Sequence, residues 1–269
     1  MARRIGDFLV GVVGPISLRV NNGKQVVSSR VAPGTMKQTE ATKRSAGSFG
    51  SASTFASCMY RKHKIPLADM GDRSTFNRLN KKSVEIWNNS RNAETDKYRF
   101  STESFSSLSG FDYNIESPLM KRVAALPVIS YEAGLLTVAY TKVFQEIKLK
   151  FPPKSHQCVI IATVAIFDLE KQKTTNVLLA ENCIINSNKP GLNAIEFKFE
   201  VPGGCLCVVS MFLKYYTVVH GRTLLNTKKF SPAAICGAII TPGRYQDDDG
   251  RIWRPIKHKT PAKLDIVLP

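Results

Sequence analysis

A chain of 269 residues with 43% hydrophobic and 22% charged residues has the composition of a globular protein, which excludes a largely disordered chain. The two ends carry the formal net charge of +17: residues 1–100 carry +11, residues 101–200 carry zero and residues 201–269 carry +6. Such segregation creates a local positive field that attracts nucleic acid, anionic lipid or an acidic protein, and a pair of solvated basic faces is the alternative interpretation.

Residues 1–36 predict a basic hairpin arm. In VNNGKQVVSSR an Asn-Gly pair separates two apolar alternating segments, and this is the strongest short-range sequence signal for a hairpin. The start of the chain lacks the clean apolar core of a signal peptide, and no apolar run approaches the roughly 18 residues of a membrane helix. We therefore expect a cytoplasmic protein with no membrane span.

Residues 37–125 predict a helical and connector region. Thr39 is placed to cap a first helix, whose apolar face carries residues at steps of three and four: Ala46, Phe49, Ser53, Ala56 and Tyr60. A second helix is expected from Ser74, with Phe76, Leu79, Ser83, Ile86 and Trp87 on one side. The connector over residues 92–125 is rich in Ser but carries aromatics that usually find a surface to bury: Tyr98, Phe100, Phe105 and Phe111.

Residues 126–242 have the pattern of β-structure throughout, with seven to nine short strands separated by turn signals. VISYEAGLLTVAY predicts two strands joined at Glu132-Ala133-Gly134, and CVIIATVAIF predicts a fully buried strand. The predicted fold class is mainly β (α+β): an antiparallel immunoglobulin-like β-sandwich preceded by a basic β-hairpin and two helices. Residues 243–269 follow as a basic C-terminal tail.

The Cys, His and acidic residues give no pattern of a metal or cofactor site. The six Cys residues form no C-x-x-C motif and lie mostly in apolar runs, which favours buried reduced thiols, although an even number leaves disulfides open. No two of the four His residues have ligand spacing. The DDDG at 247–250 lacks the Glu of a calcium loop and predicts a hairpin turn instead. We expect no metal and no cofactor.

Motifs of catalysis are also missing from the sequence. G-x-S-x-G, H-E-x-x-H and a phosphate-binding glycine loop do not occur, and we expect a non-enzymatic protein. What remains is the interleaving of basic and aromatic residues, as in MYRKHK at 59–64 and RIWRPIKHK at 251–259. Such pairs place cations on phosphates and rings on bases, but the rings of Tyr60, Phe76 and Trp253 are equally suited to core packing.

A resemblance follows from the N-terminal motifs. Gly11-Val-Val-Gly14, the NGKQVV that begins at Asn22, and Thr39-Glu40-Ala41 followed by Arg44 and Phe49 resemble the signature of a Bacteroidota family of basic proteins of unknown function. The resemblance implies a bacterial protein with a Gly-rich N-terminal hairpin, a T-E-A helix and a C-terminal β-sandwich. It supplies no activity and no catalytic residue.

The preferred hypothesis is a protein that binds nucleic acid or another polyanion, without sequence-specific readout, through its two basic ends. The alternative is a structural subunit of a multi-chain particle or filament, whose arms clamp neighbouring copies or other protein subunits. The residues predicted to contact the polyanion are Arg3, Arg4, Arg19, Lys24, Arg30, Lys43, Arg44, Lys62, Lys64, Arg251, Arg254, Lys257 and Lys259.

Overall fold

The computed structural model describes residues 2–31, 34, 39–67, 71–140, 148–192, 195–219, 221–245, 249–256 and 266–267. These residues are mainly β, with several antiparallel sheets and two α-helices in a sandwich-like arrangement. The elements are, in chain order, β1 (Ala2–Ile5), β2 (Phe8–Val13), β3 (Ile16–Asn21), β4 (Lys24–Ser29), α1 (Glu40–Leu67), α2 (Thr75–Ser90), β5 (Tyr98–Arg99), β6 (Phe111–Asp112), β7 (Val128–Glu132), β8 (Leu135–Ala139), β9 (Gln157–Asp168), β10 (Lys173–Thr174), β11 (Leu178–Asn186), β12 (Glu196–Glu200), β13 (Leu206–Thr217), β14 (Thr223–Leu224), β15 (Ala233–Ile240), β16 (Arg254–Pro255) and β17 (Ile266–Val267).

The chain divides into two compact units, Met1–Ala46 and Gly47–Pro269. In the first unit, β1 to β4 form a four-stranded antiparallel sheet, called here the N-terminal sheet. The sequence predicts one hairpin in this region, whereas the structure has three successive two-residue turns. The last turn is Asn22-Gly23, and both residues have positive φ angles, of 49° and 73°, which is the geometry that an Asn-Gly pair favours between two strands.

The two faces of the N-terminal sheet differ in their cations, although both carry exposed or half-buried apolar side chains. Alternation along the strands places Leu9, Val13 and Val27 on one face, and these side chains are 51%, 49% and 58% exposed. The opposite face carries the cations of the sheet other than Arg4, that is Arg3, Arg19 and Lys24. None of the described residues 2–31 is buried.

Helix α1 begins as the sequence predicts. The side-chain oxygen of Thr39 accepts a hydrogen bond of 3.2 Å from the Thr42 N–H, which satisfies one of the free donors of the first turn. The predicted apolar face is partly wrong, because Phe49 is 53% exposed while Phe55 and Met59 are buried. The buried stripe also contains the small and polar residues Ser48, Ser51, Ala52, Ala56 and His63, so hydrophobic spacing alone places its centre about one residue off.

Helix α2 and the connector follow the prediction closely. The buried residues of α2 include Leu79, Ser83, Ile86 and Trp87. Its entry is fixed by Asp72 rather than by a Ser74 cap, since the Asp72 carboxylate accepts hydrogen bonds from the Ser74 N–H, the Ile115 N–H and the Arg78 guanidinium. The connector is packed, and its four predicted aromatic side chains are all buried: Tyr98, Phe100, Phe105 and Phe111.

The second unit is built around one sheet, called here the main sheet. Its long strands β9, β13 and β15 are antiparallel neighbours, β11 pairs with the outer edge of β9, and β6, β10, β14 and β16 add short pairings. Eleven consecutive residues of β9, from Cys158 to Asp168, are buried apart from Val159. This agrees with the buried strand that CVIIATVAIF predicts, and it means that both faces of the sheet are covered.

Each face of the main sheet has its own cover. Alternate residues of β9 and β13, such as Ile161 and Phe212, pack with side chains of α1, α2 and the connector. The residues between them, such as Ile160 and Met211, pack against a second antiparallel sheet of β12, β8 and β7. The two helices therefore lie on the outer face of the sandwich, and the helical region shares a core with the strands that follow it.

The β7–β8 hairpin confirms a local prediction. The two strands are joined by Ala133 and Gly134, with φ angles of 48° and 85°, and Glu132 pairs with Leu135. This two-residue turn lies within the Glu132-Ala133-Gly134 segment that the sequence indicates.

All six cysteines are free thiols. Cys183 is partly exposed and the others are buried, as the spacing in apolar runs predicts. Four of them belong to the layer between the two sheets of the sandwich: Cys158, Cys205, Cys207 and Cys236. Within the described residues, neither helix contains an apolar stretch long enough to cross a membrane.

Candidate polyanion-binding site

The predicted cations of the first unit lie on exposed surface. Arg3, Arg19 and Lys24 share one face of the N-terminal sheet, and Arg30 follows β4 directly. The other face carries Arg4, whose guanidinium donates to the Gly6 carbonyl at 2.9 Å.

Helix α1 adds further predicted cations at both of its ends. Lys43 and Arg44 lie in its first turns, and Lys64 is exposed in its last turn. The Lys43 ammonium lies 2.8 Å from the Glu40 carboxylate, one turn earlier in the helix. Both partners are exposed, so this ion pair contributes little to stability.

In the second unit, the predicted residue Arg251 has a structural role. Its guanidinium lies 2.6 Å from the Asp249 carboxylate and donates to the Glu200 carbonyl at 2.8 Å. The Arg251 side chain is 23% exposed. Both terminal nitrogens of the guanidinium are engaged in these contacts, and Arg251 thereby joins the segment around Asp249 to the end of β12. Lys257 and Lys259 lie outside the described residues.

Asp249 organises the tail that carries the next predicted cation, Arg254. Its carboxylate accepts hydrogen bonds from the Tyr245 hydroxyl and the Trp253 indole N–H, each at 3.2 Å, and from Arg251. Burial raises the pKa of Asp249, but the hydrogen bonds and charge of Arg251 and the hydrogen bond from Trp253 favour the charged form and lower it overall. Arg254 then opens strand β16, in which it pairs with Thr174 of β10.

A pocket of about 510 Å³ lies where α1 meets β10, β16 and the start of β11. Cys58, Arg61 and Lys62 come from one side of α1, since residues three and four apart share a helical face. The remaining lining residues are Thr174, Asn176, Val177, Leu179, Arg254 and Pro255. Three cations thus meet in one concave site, and none of the described lining residues is acidic.

The electrostatics of this pocket, called here the basic pocket, favour an anion. Burial lowers the pKa of Lys62, and the positive charges of Arg254 and Arg61 lower it further, while Cys58 acts in the opposite direction. The Lys62 ammonium donates to the Thr175 carbonyl, which holds it at the pocket. An anion placed among the three cations relieves their mutual repulsion.

Cys58 contributes a thiol to the lining, and this thiol is a poor nucleophile. Burial raises the pKa of this thiol, and the nearby charges of Lys62 and Arg61 offset the increase only in part. The reactive form of a cysteine is the thiolate, so Cys58 serves as a wall of the pocket.

The sequence predicts two of the cations at this site and misses a third. Lys62 and Arg254 are both expected to contact a polyanion, and the fold places them in the same pocket. Arg61 is not among the predicted residues, although it stands beside Lys62 in the MYRKHK segment. Its helical spacing from Cys58, a buried residue, is the available sign that it flanks the covered face of the helix.

The aromatic rings of the basic segments contact other rings. Tyr60 meets Phe76 edge-on with 6.1 Å between ring centroids, and Trp253 lies 4.6 Å from Tyr245. All four rings are partly buried. Packing against other rings therefore accounts for them.

A cluster of three buried polar side chains links α1 to the main sheet. The His63 Nε2 atom and the Ser210 hydroxyl are 3.1 Å apart, and the Ser210 and Tyr113 hydroxyls are 3.0 Å apart. Burial lowers the pKa of His63 to about 4. All three side chains are fully buried, so a substrate does not reach this Ser-His pair, and it acts as a hydrogen-bonded part of the core.

Within the described residues, no group of three or more His, Cys, Asp or Glu side chains is arranged to hold a metal ion. Comparisons with protein-family models, with curated proteins and with solved structures find no match to this chain.

Proposed function

We propose that the protein binds nucleic acid without sequence preference, through its basic pocket and the cationic face of its N-terminal sheet. The observation that carries the proposal is the meeting of Arg61, Lys62 and Arg254 in one pocket whose described lining has no acidic residue. Phosphate contacts from Lys and Arg supply most of the affinity in binding of this kind, and each contact releases counterions from the nucleic acid.

The N-terminal sheet offers the same chemistry on a surface of its own. Arg3, Arg19 and Lys24 are exposed on one face of this sheet, and exposed cations of this kind contact the phosphate backbone of a strand. The net charge of +17 adds a long-range attraction that speeds association at low salt.

The test is the salt dependence of binding, measured by fluorescence anisotropy with a labelled single strand and a labelled duplex. We expect the logarithm of the binding constant to fall linearly with the logarithm of the salt concentration between about 50 and 200 mM. Removal of the pocket charges, as Arg61→Gln, Lys62→Gln and Arg254→Gln together, should reduce the slope for duplex by roughly 0.9 for each phosphate that these cations neutralise in the wild type.

A matched control removes the same amount of charge elsewhere in the second unit. Lys121→Gln, Lys154→Gln and Lys189→Gln change exposed residues that do not line the pocket. This variant should keep most of the wild-type slope. Binding that is flat across this salt range, or undetectable at both ends of it, would reject the proposal.

A second candidate function is that of a structural subunit in a multi-chain assembly. The uncovered apolar face of the N-terminal sheet favours it, since Leu9, Val13 and Val27 are each about half exposed or more. The size of the purified protein, measured with and without nuclease, separates the two candidates. Assembly that survives nuclease favours the structural subunit, and assembly that is lost together with nucleic-acid absorbance favours the binder.

Two finer predictions belong with this proposal. One is an immunoglobulin-like arrangement of the sandwich, and the other is membership of the Bacteroidota family that the N-terminal motifs resemble. A bacterial origin and a cytoplasmic location fit a protein that meets nucleic acid, and both stay predictions.

A further inference from the structure

We propose that the basic pocket binds a single nucleoside phosphate, with the phosphate among Arg61, Lys62 and Arg254 and the base against Val177, Leu179 and Pro255. This inference rests on the proposed function and names the unit of nucleic acid that the pocket takes. A nucleoside phosphate has two sources, a free mononucleotide and the phosphorylated end of a strand.

The size of the pocket is the first reason. Its volume of about 510 Å³ lies within the range of roughly 300–1,000 Å³ that is typical of small-molecule sites. Phosphate contacts along a strand need only exposed cations, such as those of the N-terminal sheet. A concave site of this volume has room for a sugar and a base beside the phosphate.

The division of the lining into two parts is the second reason. The cations come from α1 and β16, whereas Val177 and Leu179 supply an apolar wall at the start of β11, completed by Pro255. The flat face of a base can pack against such an apolar wall. The Asn176 amide can both donate hydrogen bonds to the edge of the base and accept hydrogen bonds from it.

The fixed positions of the cations are the third reason. Lys62 is held by the Thr175 carbonyl, and the Arg61 Nε atom donates to the Ser57 carbonyl at 3.3 Å. Arg254 lies in a strand whose partner, Thr174, is itself held by a hydrogen bond of 2.7 Å to the Ile166 carbonyl. The side chains of Lys62 and Arg61 thus have contacts before a ligand arrives, and the backbone of Arg254 is fixed by its strand, so binding has less side-chain ordering to bring about.

Binding of adenosine monophosphate to the full chain, measured by isothermal titration calorimetry, tests the inference. We expect adenosine and inorganic phosphate each to bind at least about tenfold more weakly, because each lacks one half of the contacts. Equal affinity for adenosine monophosphate and inorganic phosphate would overturn the inference, since it would leave the apolar wall without a role.

Two exposed residues allow the halves of the pocket to be tested separately. Arg254→Gln should weaken adenosine monophosphate and inorganic phosphate alike, by about tenfold, because it removes one charge-assisted contact. Leu179→Ser should weaken adenosine monophosphate but not inorganic phosphate, because Leu179, 46% exposed, belongs to the apolar wall. Lys189→Gln is the matched control, and thermal unfolding verifies that each variant is folded. Variants that bind like the wild type would contradict the assignment.

Competition against adenosine monophosphate distinguishes the two sources. Displacement by a 5′-phosphorylated oligonucleotide, but not by its 5′-hydroxyl counterpart, assigns the pocket to a strand end. Displacement by neither assigns it to the free mononucleotide, and the proposed function then depends on the N-terminal sheet without the pocket. Equal displacement by both overturns selectivity for a terminal phosphate, and with it this inference.

Failure of the proposed function and failure of this inference give different results. If adenosine monophosphate does not bind while single-stranded DNA still binds with a steep salt dependence, the pocket assignment is wrong and the proposed function stands. If neither ligand binds at low salt, both are wrong.

Discussion

The N-terminal sheet and the main sheet are both antiparallel and rich in apolar residues, but they differ in burial among the residues that the structure describes. In the main sheet, β9 and β13 are buried on both faces, by helices on one side and by a second sheet on the other. None of the described residues 2–31 is buried, although FLVGVV in β2 is as apolar as many core strands. Apolar composition therefore indicates a strand without indicating what lies against it, because the cover comes from distant parts of the chain.

The same difference predicts unequal stability. Apolar burial contributes roughly 25 cal/mol for each Å² removed from water, and the main sheet gains this on both faces. The N-terminal sheet relies mostly on its turns and on pairs across strands, which contribute roughly 0.2–1 kcal/mol each. The following substitutions test this contrast in order of expected effect.

The largest effect is expected for Phe55→Ala, in the helical cover of the main sheet. The Phe55 ring is 2% exposed and lies 4.9 Å from the Trp87 ring and 5.0 Å from the Phe167 ring, between centroids. Its removal leaves a cavity, so the free energy of unfolding in a urea titration should fall by about 3–5 kcal/mol. Phe49→Ala, at a 53% exposed position of the same helix, should change it by less than about 0.5 kcal/mol. Equal losses would mean that the buried face of α1 is assigned wrongly.

The next effect is a pH dependence at His63, which lies between the same helix and the main sheet. Its pKa is lowered from 6.5 to about 4 by burial, so the folded state binds fewer protons than the unfolded state between these values. The stabilisation is complete above pH 6.5 and is lost as the pH falls to 4, and it amounts to about 3 kcal/mol. Urea titrations at several pH values should show this slope, and His63→Asn should abolish it. A wild-type slope that persists in the variant would assign the effect to another group.

A smaller effect is expected for Asp72→Asn, at the entry of α2. The hydrogen bonds from Ser74 and Ile115 and the charge of Arg78 lower the pKa of Asp72 from 3.8 to about 2, against the opposing effect of burial. The stabilisation by the charged form is complete above pH 3.8 and is lost as the pH falls towards 2. The variant should unfold with about 2 kcal/mol less free energy at neutral pH. Asp7→Asn is the control, since the Asp7 side chain is 97% exposed on the N-terminal sheet, and it should leave stability unchanged. If both variants unfold alike, Asp72 does not anchor α2.

The smallest effect on stability is expected on the uncovered apolar face of the N-terminal sheet. Leu9→Ser with Val27→Ser removes two large apolar side chains that are 51% and 58% exposed. For an isolated chain, the midpoint of thermal unfolding should move little, because surface substitutions usually change stability by less than about 0.5 kcal/mol. A reduction in particle size, measured by light scattering, would instead indicate that other subunits cover this face.

Local patterns predict the elements well. The β7–β8 turn, the buried strand β9, the inner face of α2 and the four buried aromatics of the connector all follow from spacing and residue type. The face of α1 does not, because its buried stripe includes Ser48, Ser51 and His63, which hydrophobic periodicity does not count. Hydrogen bonds satisfy two of them, one between Ser48 and Tyr98 and one between His63 and Ser210, and these partners are distant in sequence.

The sequence predicts charged residues that form the site, but it does not predict that they meet in one pocket. Neighbouring basic residues in the sequence indicate Lys62 and Arg254 as polyanion contacts. Their meeting in one pocket depends on the pairing of β16 with β10, which no local signal indicates. Similar surroundings also suggest Arg251 as a phosphate contact, but Asp249 engages it in an ion pair. The charge of a side chain is visible in a sequence, whereas its partner is set by the fold.

The free thiols of the sandwich have a practical consequence. Burial raises the pKa of Cys207 and of Cys236 to about 12, and raises those of Cys158 and Cys205 as well. Alkylating reagents attack thiolates, so these four residues react only when the two sheets separate, whereas the partly exposed Cys183 is accessible earlier. Alkylation rates at these positions, followed by mass spectrometry, therefore measure how often the interior of the sandwich opens, without any introduced label.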